Sequence, residues 1–140
     1  MVTARDAAQT AAGTVNFVAQ MAIDPPLVAV GMKTGSGIAL LTERSKRFAV
    51  NILGMGQKDL AAAFFSPTVV SGDRINNIPY RPGADGLPIL TLVPSAFVCR
   101  VEETVKRGDH DLVVGCVTEV YEQRSMPPLT LASTGWFYGG

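Results

Sequence analysis

Six short apolar segments, separated by glycine, proline and polar residues, most constrain how this chain can fold. The segments are rich in Val, Phe, Thr and Ile, the side chains that pack well in a pleated sheet. They span residues 13–21, 27–33, 48–53, 95–105, 112–121 and 129–138. Only two stretches have helical character: one follows Ser36, which can cap a helix, and the other spans residues 57–65. Many short strands with two short helices predict a mainly β fold.

The strand-like segments predict a β-barrel with helices at its ends, because closing a sheet removes unpaired strand edges. All 140 residues are expected to form a single domain. Between Ser66 and Pro88 the chain is polar and dense in Gly, Pro, Asn and Asp. We expect a structured excursion over the surface there, since long loops without a function are uncommon.

Composition and charge restrict the partners of this chain. Twelve basic residues balance twelve acidic ones, so no net field favours nucleic acid or an anionic membrane. No apolar stretch reaches the ~18–20 residues that cross a bilayer, and residues 1–13 lack the pattern of a signal peptide. Hydrophobic residues make up 47% of the chain and charged residues 17%, which predicts apolar surface covered by a partner subunit.

The cysteines and the histidine count restrict the chemistry further. Cys99 and Cys116 both lie in apolar segments, which predicts buried thiols in a reducing, cytoplasmic compartment. Two cysteines do not make a disulfide framework or a zinc site. One histidine cannot form a histidine-rich metal site within one chain, so we expect no metal.

The only histidine, His110, lies in a polar turn directly before the apolar segment at 112–121. An unbroken apolar run of this kind is typical of a strand buried on both faces. Such a strand would hold the turn at a sheet edge, where a ligand can meet the imidazole. The residues alone leave two interpretations open, a simple turn residue and a functional group.

Three polar residues at even spacing, Thr14, Asn16 and Gln20, lead into the turn at Asp24 to Pro26. The prolines must end the preceding strand, because they lack an N–H donor and fix φ. The polar row would point to one side of a strand. It forms either a binding edge for a flat polar ring or the polar outer face of a half-buried strand.

Lys33 to Gly37 follows a strand and opens a helix. Backbone N–H groups at a helix start favour a phosphate, and Lys33 and Ser36 can add a charge and a hydroxyl. The spacing is not that of a Walker loop or a dinucleotide fingerprint. A phosphate site and an ordinary Gly-Ser turn before a helix both remain open.

A series of short motifs covers nearly the whole chain. They are Gly13–Asn16, Asp24–Val28, Ser45–Leu53, Gln57–Ala61, Asp73 with Arg74, Gly83 with Gly86–Pro88, and Gly108–His110 with Gly115. Taken together and in this order, the motifs resemble those of the flavin reductase-like family of FMN-binding split barrels. The resemblance implies a Greek-key-like split β-barrel that forms a homodimer with FMN near the subunit interface.

The resemblance also implies an activity, that of an NAD(P)H-dependent flavin reductase. Such an enzyme transfers a hydride from NADH or NADPH to FMN or another flavin such as FAD, often to supply a partner monooxygenase. An alternative is a flavoredoxin-like electron-transfer protein that keeps its FMN and exchanges electrons with a redox-protein partner. A third hypothesis is a barrel that keeps the dimer and has lost the cofactor.

Residue roles follow from the same resemblance. Flavin-binding positions are implied at Thr14, Val15, Asn16, Phe17, Gln20, Lys33 and Ser36. Among them, Lys33 and Ser36 would hold the phosphate. The residue implied in catalysis is His110, which would position the nicotinamide or stabilise charge while the hydride moves directly between the two rings.

Two departures from the family pattern are visible. Ile38 stands where most relatives carry a hydroxyl residue, which removes one expected phosphate contact. The chain also begins where relatives already have a helix and part of a first strand, so the N-terminal helix of the family is expected to be absent.

Overall fold

The computed structural model describes residues 1–137, which form eleven strands, three α-helices and one short 3-10 turn. The strands are β1 Val2–Arg5, β2 Thr10–Gly13, β3 Val18–Ala22, β4 Leu27–Lys33, β5 Arg47–Ile52, β6 Val70–Ser71, β7 Arg74–Ile75, β8 Ile78–Pro82, β9 Pro88–Leu90, β10 Ser95–Lys106 and β11 His110–Glu122. The helices are α1 Gly37–Ser45, α2 Lys58–Ala62 and α3 Leu131–Thr134, and the 3-10 turn is Ala84–Gly86.

Seven strands form one antiparallel sheet in the order β2-β1-β5-β10-β11-β4-β3. Its centre is the long hairpin of β10 and β11, and β6 to β9 form a separate four-stranded sheet. The expectation of a mainly β fold is confirmed. The split barrel is confirmed only in part, because β2 and β3 remain as two edges and hydrogen bonding does not close the sheet within the described residues.

Apolar side chains from the strands and from α1 form the main core. Phe48 of β5 is fully buried there, and Ile38 and Leu41 of α1 pack into the same cluster. Phe48 can lie against β11 only because position 115 is glycine: a Cβ there would come within 2.7 Å of the phenyl ring. This close approach accounts for Gly115 within the apolar segment that follows His110.

The predicted strand at residues 13–21 is wrong in its middle. Gly13 ends β2 and β3 begins at Val18, so residues 14–17 form an irregular segment between two strands. The Thr14 hydroxyl donates a hydrogen bond to the Ala61 carbonyl oxygen at 2.7 Å, and the Phe17 carbonyl oxygen accepts one from the Gly31 N–H at 2.8 Å. These contacts with distant parts of the chain replace the continuous strand.

The predicted strand at residues 129–138 is also wrong. Residues 131–134 form α3, which Thr130 caps by accepting a hydrogen bond from the Ser133 N–H. The Ser133 hydroxyl in turn accepts from the Thr130 N–H, and this reciprocal pair favours a helix start over an extended strand. Three α-helices therefore replace the expected two. Tyr138, the last residue of the predicted strand, lies outside the described residues.

The strand after His110 is open on one side. Asp111 and Val113 are buried, whereas Leu112 is exposed and Val114 is half-buried. Thr118 to Val120 are exposed as well, so the prediction of burial on both faces is wrong for β11. The structured excursion expected between Ser66 and Pro88 contains β6, β7 and β8, and no helix in the described part of the chain is long and apolar enough to cross a membrane.

The two cysteines differ in environment, and this gives a first prediction. Burial raises the pKa of the Cys99 thiol to about 12, whereas Cys116 is only half-buried. Because the thiolate is the reactive form, we expect an aromatic disulfide reagent at pH 8 to label Cys116 alone in the folded protein. Both thiols should react in denaturant.

Single-cysteine variants provide the control for this labelling. Cys99→Ser should leave labelling of the folded protein unchanged, and Cys116→Ser should abolish it. Rapid reaction of Cys99 in the folded Cys116→Ser variant would contradict the buried environment that the structure gives this thiol.

Candidate functional site

A cavity of about 1010 Å³ lies beside α1. This volume is at the upper end of the range of about 300–1,000 Å³ that is typical of ligand sites. The structure places seven of the eight sequence-predicted site residues on its wall. They are Thr14, Val15, Asn16, Phe17, Lys33, Ser36 and His110.

Gln20 is the predicted residue that the structure does not bring to this cavity. It lies on β3 opposite Val28 and is exposed. The argument from even spacing assumed one continuous strand from Thr14 to Gln20. Because residues 14–17 are irregular, side-chain alternation does not carry from one end of that stretch to the other.

The irregular segment 14–17 is held in place at both ends. The Thr14 hydroxyl is engaged with the last turn of α2 through the Ala61 carbonyl oxygen. At the other end the Phe17 carbonyl oxygen is bonded to the Gly31 N–H of β4. The segment therefore borders the cavity as a fixed strap, and all four of its residues line the cavity.

The start of α1 has the features of a phosphate site. Ser36 caps the helix, and its hydroxyl oxygen accepts a hydrogen bond from the Ala39 N–H at 3.3 Å. The N–H groups of Gly37 and Ile38 have no acceptor within the helix, and Lys33 lies at the end of β4 on the same cavity wall. A Cβ at Gly37 would meet no atom within 4 Å. This open, cationic helix start fits the phosphate of a flavin nucleotide.

Ile38 stands at the start of α1 in place of the hydroxyl residue of the family pattern, and its backbone can still serve a phosphate. Its side chain is buried in the main core, where it packs so closely on β2 that a Cβ at Gly13 would lie 3.3 Å from Ile38 Cγ2. The side chain offers no hydrogen bond to a phosphate, but the backbone N–H of Ile38 remains at the helix start. The departure from the family pattern therefore removes one donor and leaves the backbone donors.

His110 is the first residue of β11 and pairs with Lys33 of β4. Its side chain is 14% exposed, and Nδ1 lies 3.1 Å from Asp109 Oδ1. Hydrogen bonding and charge from the His110 imidazole lower the pKa of Asp109. On the strand side the Thr34 N–H donates to the Asp109 carbonyl oxygen at 2.9 Å, so the turn before β11 is fixed to the end of β4.

A shallower hollow of about 510 Å³ adjoins the cavity on the outer face of β3, β4 and β11. Phe17, Gly31 and His110 line both spaces, as does Asn16. The Phe17 and His110 rings lie edge to face, with centroids 5.3 Å apart and planes at 73°. This aromatic pair therefore stands at the border between the two spaces.

The rest of the cavity wall was missed by sequence reasoning. Its polar and aromatic members include Gln9, Thr10, Arg44, Phe65, Ser66 and Thr68. Helical spacing contained a signal for Arg44, which lies seven residues after Gly37 and therefore on the same side of α1. No local signal marked Thr68, whose hydroxyl accepts from the N–H of Ala12 and donates to its carbonyl oxygen, joining the segment after α2 to the edge strand β2.

The chain is similar in sequence to known proteins along nearly all of its length. The family model described as "Flavin reductase like domain" matches residues 1–138. The chain is 34% identical over 138 residues to a protein of Rhizobium meliloti (strain 1021) named "Probable flavin reductase". This match covers 98% of this chain and 43% of that protein. It is 39% identical over 105 residues to the NADH-dependent flavin reductase StyB of Pseudomonas fluorescens, covering 75% of this chain and 59% of StyB.

Solved structures show the same similarity. The styrene monooxygenase flavin reductase SMOB from Pseudomonas putida S12 has a TM-score of 0.74 and 29% identity, covering 91% of this chain and 80% of that one. An FMN-binding protein from Thermus thermophilus has a TM-score of 0.75 and 29% identity, covering 87% and 68%. The chain spans about two-fifths to three-fifths of the two sequence relatives named above. Because the family model covers nearly all of its length, the chain belongs to the flavin reductase like domain family.

Proposed function

We propose that this chain is an NAD(P)H-dependent flavin reductase domain that binds FMN in the cavity beside α1. The observation that carries the proposal is the convergence on one cavity of the helix start at Ser36, the strap 14–17 and His110. A helix start can bind the phosphate of a flavin nucleotide, a fixed backbone edge can orient its ring, and an imidazole can stabilise charge beside it. The family membership supports the same conclusion.

The residues of the chain have distinct tasks in this proposal. Lys33 and Ser36, with the first N–H groups of α1, bind the phosphate. The strap 14–17 orients the ring through its backbone, and Phe17 with Phe65 contributes apolar surface to the cavity. A bound flavin supplies the two-electron acceptor for a hydride from the nicotinamide. His110 positions the nicotinamide or stabilises charge next to it.

The names of the relatives guide the choice of substrates. StyB is named as NADH-dependent, and the Thermus thermophilus neighbour is named as FMN-binding. NADH and FMN are therefore the first substrates to test, with NADPH and FAD as competitors. SMOB is named as the flavin reductase of a styrene monooxygenase, which supports a partner monooxygenase for this chain. The two free cysteines are consistent with a reducing cytoplasm.

A second copy of the chain completes the proposed assembly. Apolar residues are exposed along β3 and around it, among them Val18, Met21 and Ile23, and Leu112 of β11 is also exposed. An exposed apolar area of this kind at a sheet edge is typical of a subunit interface. The proposed homodimer covers this edge of the split barrel, and the hollow beside Phe17 then lies next to the interface.

Sedimentation of the purified chain tests the dimer. We expect a homodimer, and Met21→Glu combined with Ile23→Glu should shift it to monomer by placing charge on the apolar edge. Glu102→Gln, on an exposed part of β10, is the control and should leave the dimer intact. A monomeric wild-type chain at micromolar concentration would contradict the assembly.

Anaerobic reduction of FMN by NADH tests the activity. Purified protein should oxidise NADH only slowly alone and much faster when FMN is added. Stopped-flow reduction separates the reductase from an electron carrier, which would be reduced slowly by NADH and NADPH and rapidly by a reduced redox protein. No saturable flavin binding and no flavin-stimulated NADH oxidation would overturn the proposed function.

A further inference from the structure

The aromatic pair of Phe17 and His110 occupies the border between the cavity and the adjoining hollow. We propose that Phe17, seated on Gly31, is a positioning residue that sets the orientation of the His110 ring for hydride transfer. The inference rests on the proposed function, since it concerns the residue to which that function assigns the nicotinamide.

Gly31 provides the seat for Phe17. Its N–H donates to the Phe17 carbonyl oxygen at 2.8 Å, so the two residues are joined through the backbone. A Cβ at position 31 would lie 3.0 Å from Phe17 Cβ and 3.1 Å from Phe17 Cδ2. The nearest atom is the first carbon of the side chain and not its flexible end. Any residue larger than glycine therefore pushes Phe17 back by a few tenths of an ångström, at a point where the side chain has no freedom to turn away.

Asp109 alone does not fix the imidazole. It approaches His110 Nδ1 at 3.1 Å, but its own side chain is 81% exposed. Water competes for an exposed carboxylate, and exposed ion pairs hold side chains weakly. The edge-to-face contact with Phe17 adds a second, apolar constraint on the same ring. The Phe17 contact therefore constrains the plane of the ring in addition to the Asp109 contact.

A shift of Phe17 therefore moves the imidazole relative to the flavin and the nicotinamide. Hydride transfer depends steeply on the distance and angle between the two reacting rings, and small misplacements cost large factors in rate. The proposed phosphate site at the start of α1 does not include Gly31. We therefore expect a change in the contact between Phe17 and Gly31 to affect the rate of reduction much more than the affinity for flavin.

Gly31→Ala tests this seat, with Gly108→Ala as the matched control. Gly108 is a glycine in the turn before β11, close to His110 in the chain. A Cβ at this position would meet no atom within 4 Å. We expect Gly31→Ala to slow single-turnover reduction of FMN by NADH on the order of tenfold, with the FMN Kd within about threefold of wild type. Gly108→Ala should leave both unchanged.

A double-mutant cycle shows whether Gly31 acts through His110. In a His110→Ala background, Gly31→Ala should cause no further loss of rate, because the ring that it positions is absent. An equal loss in both backgrounds would overturn the inference, as would a wild-type rate in Gly31→Ala. If Gly31→Ala does not fold, Phe17→Leu serves instead, since it keeps the glycine and removes the aromatic ring.

NMR tests the same contact without any turnover. His110 is the only histidine of the chain, so its ring-proton resonances are identified by composition alone. We expect Phe17→Leu and Gly31→Ala to shift these resonances toward those of an exposed histidine, and Gly108→Ala to leave them in place. Unshifted resonances in both variants would overturn the inference even in an active enzyme. A wild-type protein that reduces no flavin would overturn the proposed function, while this measurement would still decide the ring contact.

Discussion

His110→Ala is expected to slow the reduction of FMN by NADH roughly tenfold to hundredfold, with a much smaller change in FMN affinity. The imidazole lies on the cavity wall beside the strap 14–17, with only 14% of its side chain exposed. In the proposed site it acts on the nicotinamide and not on the phosphate. Its removal should therefore lower the rate of the hydride step. Anaerobic stopped-flow reduction of the preformed flavin complex measures that step directly.

Arg107→Ala is the control for this experiment. Arg107 is exposed in the turn before His110 and carries a cationic side chain outside the cavity lining. Its removal should leave the reduction rate unchanged, which excludes a general effect of the turn. Equal rates in wild type and His110→Ala would remove His110 from the mechanism.

The second large effect is expected at the start of α1. Replacing Lys33 and Ser36 together by alanine should raise the FMN Kd on the order of a hundredfold or more, because charge-assisted hydrogen bonds contribute about 1.5–3 kcal/mol each. Ser36 also caps α1, so alanine at this position weakens the helix as well, by about 1 kcal/mol for a typical N-cap. Ser36→Asp separates the two effects, because aspartate keeps the cap and repels the phosphate.

The other end of the same helix provides the matched control. Ser45 and Lys46 repeat the two residue types at the C-terminal end of α1, where neither lines the cavity. Their replacement by alanine should leave the FMN Kd near that of wild type, as measured by visible absorption or quenching of flavin fluorescence. Equal weakening by both pairs would point to non-specific attraction of the anion. Unchanged affinity in Ser36→Asp would contradict a phosphate at the helix start.

Local sequence signals predicted the strands and helices whose ends are marked by neighbouring residues in the chain. The strand Leu27–Lys33 lies at its predicted bounds, because the prolines before it and the Gly-Ser turn after it set both ends. The helix after Ser36 is likewise marked by its cap. The break between β2 and β3 had no such signal, since it depends on bonds from Thr14 to Ala61 and from Gly31 to Phe17.

The candidate site also combines residues that local sequence signals predicted with residues that only long-range pairing brings together. Lys33 and His110 were predicted separately, and they meet because β4 and β11 pair with these two residues opposite each other. Gln20 was misplaced because period-2 spacing was applied across an irregular segment. Thr68 reaches the wall through a contact with Ala12, 56 residues away. Such pairings are set by the packing of the whole sheet, which no window of the sequence contains.

The central claim is that one cavity beside α1 binds a flavin nucleotide by its phosphate and along the strap 14–17. A crystal structure of the protein with FMN tests this claim most directly. The account predicts the phosphate within hydrogen-bond distance of the Gly37 and Ile38 N–H groups, and the ring beside Asn16 and His110. Flavin bound elsewhere on the chain, or a phosphate away from the start of α1, would contradict it.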